Sequence, residues 1–175
     1  GRIASFVIHQ ETPQPMSSLR PHRIAIGGYD VQADGTLVRT QHVELDIDGA
    51  ATTVPQLAGL DRPDIVLVND DDLAYAKVRL DAESLAAATR HLSGFTDSLP
   101  RTLVLAAAWD MTRDGETPGR QFVELVLGNI ASETDSTVVL VLLRQLATTV
   151  DHYVDPRVRE QLSASVADRL WELAV

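Results

Sequence analysis

The chain has 175 residues, 25 acidic against 15 basic, for a net charge of −10, with 45% hydrophobic residues and no cysteine. With no Lys/Arg block anywhere, that balance excludes free nucleic acid and anionic membranes as partners, since both select clustered positive charge. Zero Cys excludes a disulfide scaffold, thiolate metal sites and thiol chemistry, while the apolar content suffices for a packed core.

In the first half the hydrophobic period is two. Residues 3–10 form a β-rich apolar stretch, and His22–Val31 another, with Gly27-Gly28 marking a bulge or a close backbone approach. Leu37–Ile47 alternates most clearly, with Val43, Leu45 and Ile47 on one face and His42, Glu44 and Asp46 on the other. Asp34-Gly35 and Asp48-Gly49 are tight-turn dipeptides, because Gly takes positive φ without penalty. Ile65–Val68 is a short continuous apolar run, read as a strand buried on both faces. Residues 74–80 alternate again, with Ala74, Ala76, Val78 and Leu80 opposite Tyr75, Lys77 and Arg79. Short strands separated by turns predict a small antiparallel sandwich.

From Asp81 onward the period is helical. Asp81 is placed to cap a helix over 82–92, its carboxylate accepting from the free N–H groups of the first turn, and Ser93-Gly94 stops it. Ser98, with Pro100 in the first turn, opens a second helix through Met111, and Thr117-Pro118 starts a third through Leu127. The fourth, over 135–150, is apolar on nearly every side and is expected to be covered on several faces. Asp155-Pro156 starts a fifth, whose Val158, Leu162, Val166, Leu170 and Leu173 repeat at helical spacing. Short loops between helices imply antiparallel neighbours. The expected class is therefore α+β: a small antiparallel β-sandwich over residues 1–81, then an antiparallel, solenoid-like α-helical array over 82–175.

Machinery for catalysis is sought residue by residue. The histidines are His9, His22, His42, His91 and His152, and no two are spaced to share a helical face. His9, His22 and His42 fall on strands and read as surface or interface residues. There is no Gly-x-Ser-x-Gly elbow and no phosphate-cradling Gly-x-x-x-x-Gly-Lys loop; Lys77 is the single lysine. Asn69-Asp70-Asp71-Asp72 invites a calcium reading. Counting from Asp70, Asp72 and Asp81 fall on loop positions 3 and 12, but Ala74 and Tyr75 stand where a donor and the turn-making Gly belong. The stretch therefore reads as an acidic, solvated turn that opens a strand. Trp109, on the helical face of Leu105, reads as a core aromatic, and Asp110 with Arg113 as an i,i+3 surface pair. Arg101, Arg113, Arg120 and Arg144 could bind a carboxylate bidentately, but solvation or structural pairing is the default for each. No catalytic, cofactor-binding or metal-binding residue is assigned.

Read in order, Asn69-Asp70-Asp71-Asp72-Leu73-Ala74-Tyr75-Ala76-Lys77-Val78-Arg79-Leu80-Asp81 resembles the actinobacterial aminopeptidase N family of zinc-dependent gluzincin exopeptidases. The resemblance continues through Leu92-Ser93-Gly94-Phe95-Thr96-Asp97-Ser98-Leu99-Pro100-Arg101 and Ala106-Ala107-Ala108-Trp109-Asp110-Met111-Thr112-Arg113-Asp114. It extends to Leu142-Leu143-Arg144-Gln145-Leu146 and Tyr153-Val154-Asp155-Pro156. What these motifs match is the C-terminal portion of that family. Its chemistry needs a His-Glu-x-x-His helix, a further Glu ligand and a Gly-x-Met-Glu-Asn segment, and this chain has none of them.

The resemblance implies a non-catalytic C-terminal fragment. In the parent, zinc would polarise the first peptide carbonyl with a Glu as base, and this fragment would supply the sandwich spacer and part of the helical wall of the cavity. The implied partners are the catalytic domain of the same parent chain and its peptide substrates. The alternatives are a stand-alone protein–protein adaptor and a sandwich that binds a small ligand or glycan. The adaptor should end on a polar capping helix, whereas Trp171 to Val175 is still amphipathic; the third wants exposed loop aromatics, which are few. A chain opening on Gly1 and stopping there is expected to be cut from a longer one, with an apolar patch near 158–173 able to drive self-association. Gly1-Arg2-Ile3 does not read as a secretory signal, and no apolar run reaches the ~18 residues of a membrane span. The expected location is cytoplasmic.

Overall fold

The computed structural model describes residues 1–13 and 18–174. Among the described residues, five strands form two antiparallel sheets. Strand β1 (Val7–His9) pairs with β4 (Ala51–Thr53), and β2 (His22–Val31) lies between β3 (Leu37–Ile47) and β5 (Ile65–Val68). The alternation in β3 is obeyed: Val43 and Leu45 are half-buried and Ile47 buried, while His42, Glu44 and Asp46 are exposed. Arg23, on the neighbouring strand, spans Glu44 and Asp46 at 3.1 Å each. The predicted bulge is present, since the β2–β3 register shifts between Gly28 and Tyr29.

The central sheet is apolar on both faces, and the faces serve different cores. Ile24 and Ile26, with Val66 and Val68 beside them, pack with Ile8, Ile47, Val54 and Leu57 against the two-stranded sheet. On the other face Tyr29, Leu37, Ile65 and Leu67 join the helical core. Strand β5 is thus a continuous apolar run because both its faces are covered.

The helices are α1 (Ala82–His91), α2 (Ser98–Arg113), α3 (Gly119–Asn129), α4 (Ser136–His152) and α5 (Pro156–Ala174). Caps set their starts: Asp81 accepts from the N–H groups of Glu83 and Ser84, Asp97 from Leu99, and Asp135 from Thr137 and Val138. Helix α1 lies on β5, and α3 packs on all four other helices, burying Phe122, Val123, Leu125 and Val126. Contacts of α1 with α3 and of α3 with α5 give the i, i+2 stacking of a helical array.

Three expectations are corrected. Residues 74–80 form no strand, and β4 (Ala51–Thr53), which the sequence pattern did not single out, is one of the five among the described residues. Part of the alternation over 74–80 is satisfied by packing instead of pairing: Ala74 lies against the sandwich core and Val78 and Leu80 against the helical one, while Ala76 is exposed. Helix α4 buries one face only, through Leu142, Leu146, Thr149 and Val150, while Leu140, Val141 and Leu143 are exposed. In α5, Val166 is buried and Val158, Leu162 and Leu170 are half-buried, so most of that stripe is used. Its exposed apolar residues are Trp171 and Leu173, and Val175 lies outside the described residues.

Candidate functional site

The most organised polar cluster forms where β5 ends. The N–H of Asp70 still donates to Ala25 O at 3.1 Å, so the chain stays on the sheet for one more bond. It then turns through Asn69 (φ 59°) and Asp72 (φ 53°), the residue types that tolerate left-handed backbone best after Gly. The Asn69 side chain brackets the turn, donating to Ala74 O at 2.7 Å and accepting from Ala74 N at 3.0 Å.

This geometry turns Asp70 inward. It is 1% exposed, which corrects its reading as part of a solvated turn. The Tyr29 hydroxyl donates to Asp70 Oδ1 at 2.6 Å and Arg39 Nη1 to Oδ2 at 2.9 Å. Arg39 stands opposite Tyr29 in the β2–β3 register and also reaches Asp71 at 2.9 Å; His42 Nε2 lies 2.8 Å from the other Asp71 oxygen. The carboxylate fits because position 27 has no side chain: a Cβ there would sit 2.3 Å from Asp70 Oδ2. Sequence alone marks Gly27 for close approach but not what approaches, and it gives no sign of Tyr29 or Arg39.

The electrostatics are those of a lock. Burial, then the bond to Asp70, pushes the Tyr29 hydroxyl well above its ordinary value, so it stays a donor and cannot act as a base near neutrality. The Arg39 guanidinium is held charged, chiefly by Asp70. Partial burial alone would raise Asp71, but the bonds from His42 and Arg39 outweigh it and hold the carboxyl below the usual range.

His42, Asp70 and Asp71 are the one group among the described residues that brings three metal-capable atoms within 4.8 Å of one another. Their chemistry does not fit a catalytic zinc. Arg39 donates to both carboxylates, so a permanent cation already holds the ground a metal would need. The same argument makes an expected result for calcium: millimolar Ca²⁺ should leave the melting temperature unchanged, since only ligands that prefer the native state raise it. A rise of several degrees, abolished in Asp71→Asn, would overturn this.

The other singled-out residues lie apart from the cluster. His9 and His152 are exposed, His22 and His91 half-buried. Trp109 is half-buried against Phe122 and Tyr153 (centroids at 5.2 and 6.0 Å), and Arg113 lies 5.9 Å from its ring centroid and 3.9 Å from Asp110. Arg101 is paired inside the helical core with Glu133, at 3.0 Å. Arg120 and Arg144 have no side-chain partner among the described residues.

Two comparisons with known proteins bear on these features. Residues 65–174 match the family described as the ERAP1-like C-terminal domain. Over 168 residues the chain is 54% identical to aminopeptidase N of Streptomyces lividans, a match that takes in 93% of this chain and 20% of that protein. The chain thus spans about a fifth of the length of the curated relative it matches.

Proposed function

The chain belongs to the ERAP1-like C-terminal domain family, and from that premise we propose that it is a non-catalytic part of a zinc-dependent aminopeptidase. The observation that carries this reading is the 54% identity running through nearly the whole chain while spanning only a fifth of aminopeptidase N. In the longer protein the catalytic portion holds the zinc and removes N-terminal residues from peptides. The sandwich acts as the spacer that sets the helices at a distance from that centre, and the helices supply part of the cavity wall. The domain boundary near Asp81 is a change of element type within this shared body.

The composition of the described surface supports a supporting role over chemistry. The best-built polar cluster spends its carboxylates on Arg39, Tyr29 and His42 and offers no free base. The exposed Leu140, Val141 and Leu143 of α4 and Trp171 and Leu173 of α5 suit cover by further helices of the same protein. In the chain alone, that uncovered surface would drive self-association. No helix among the described residues is long and apolar enough to cross a membrane, and the reading keeps the cytoplasmic location expected from sequence.

The test is enzymatic. Residues 1–175, purified free of longer chains, should release no N-terminal residue from aminoacyl amides and retain no stoichiometric zinc, while the longer protein does both. Turnover or zinc in the purified chain would sink the proposal.

A further inference from the structure

Between the Asp70 turn and α1 the sequence is patterned like a strand, yet the segment pairs with no strand among the described residues. Ala74, Val78 and Leu80 pack on the two cores, while Tyr75, Ala76, Lys77 and Arg79 are exposed. The main-chain N–H groups of residues 75–79 meet no acceptor among the described residues. Both ends of the segment are nonetheless fixed. Asn69 clamps Ala74 with two hydrogen bonds. Lys77 binds Asp114 at 2.8 Å, and Arg79 binds Asp114 and, at 2.7 Å, Glu116. Tyr75, at 105% of its reference area, is the most exposed of the large apolar side chains.

These features point one way. A segment already pinned by its neighbours loses less conformational entropy when it pairs, and a main chain with unpaired N–H groups is a template for strand addition. Lys on an edge usually blunts such pairing, but here its charge is neutralised by Asp114. A fully exposed tyrosine on such a segment has the profile of an interface anchor. A local pattern that encodes a strand which the fold leaves unused is the kind of mismatch expected at functional surfaces. Four-fifths of the matched relative lies outside the region this chain covers, so ample chain exists to supply the partner.

We propose that residues 75–79 form an edge strand that pairs, through its main chain, with a strand of the catalytic portion of the same longer protein, with Tyr75 seated in an apolar socket there. The inference rests on reading the chain as part of that enzyme. It makes residues 75–79 an inter-domain seam joining the sandwich–helix junction to the catalytic portion.

The experiment uses the full-length protein, with hydrogen exchange followed over residues 73–80 and a photocrosslinking benzoylphenylalanine placed at position 75. The amides of 75–79 should exchange at least ~100-fold more slowly than an unstructured chain, and the crosslink should map to the catalytic portion of the same molecule. Tyr75→Ala should speed that exchange at least ~10-fold while the amides of β5 and α1 keep their protection. Free exchange at 75–79 with β5 and α1 protected would overturn the proposal, as would a crosslink to a second copy. The same preparation is assayed for N-terminal residue release. An active enzyme with free 75–79 amides sinks the seam and leaves the functional reading standing, whereas an inactive one sinks that reading and with it the identity of the partner.

Discussion

Replacing Gly27 by Ala is expected to destabilise the chain by about 3 kcal/mol, at the upper end of what overpacking costs. The added Cβ would lie 2.3 Å from Asp70 Oδ2, 2.5 Å from its Cγ and 2.9 Å from Tyr29 Cε2, all closer than real contacts permit. Relief by movement is denied. Asp70 is buried, and shifting it strains its bonds to the Tyr29 hydroxyl and to Arg39 together. Asp70→Ala should itself cost about 2–3 kcal/mol, because it strands a buried hydroxyl and removes a charge-assisted acceptor. The clash exists only when both side chains are present, so the double variant should cost at least ~1 kcal/mol less than the sum of the singles. Urea unfolding of the four proteins reads this directly. A Gly27→Ala variant within ~0.5 kcal/mol of the parent, or strict additivity, would show that the turn is not packed as described.

Glu133→Ala should cost a similar amount, about 3 kcal/mol, for a different reason. The side chains of Arg101 and Glu133 are only 12% and 4% exposed, and they are paired Nε to Oε2 at 3.0 Å. Glu133 also accepts from the N–H groups of Thr134 and Asp135, and Arg101 donates to Phe95 O. Removing the acid leaves a buried guanidinium with one carbonyl for company. Replacing both residues by Leu should cost far less, within ~1 kcal/mol of the parent, because it removes the stranded charge along with its partner. A double variant as damaged as the single would refute the account.

The same pair sets a pH dependence. Burial would raise the Glu133 carboxyl, but the bonds from Arg101 and the main chain outweigh it and hold it below its ordinary value. A depressed folded value means stability that is present above the ordinary carboxylate range, near pH ~4, and lost as pH falls through the depressed value. Asp71 and Asp81 are held below their ordinary value too, so acid unfolding should steepen below pH ~4. In Glu133→Ala part of that steepness should disappear. An unchanged acid limb would show that Glu133 titrates as it does unfolded.

How much of this was legible beforehand depends on the range of the interaction concerned. Strands β2, β3 and β5 and all five helices follow from period, turn dipeptides and capping carboxylates within a few residues of each element's ends. Asp81 illustrates this, since the donors it satisfies are two and three residues away. The resemblance carried by the run from Asn69 to Asp81 was equally readable, because it lies in residue order and not in space.

What only the tertiary structure decided is what stands over what. Asp70 has the composition of a solvated turn and becomes a buried acceptor because β2 places a glycine beneath it and a tyrosine beside it, while β3 brings up an arginine. Residues 74–80 have the alternation of a strand, but pairing requires a neighbour, and the sheet ends at β5. Arg101 finds Glu133 across 32 residues of chain, a separation over which no local pattern reports. The apolar character of α4 was determined by its sequence alone. Which side of α4 is covered was not, because burial depends on where other helices stop, and hydrophobicity records only the demand for cover.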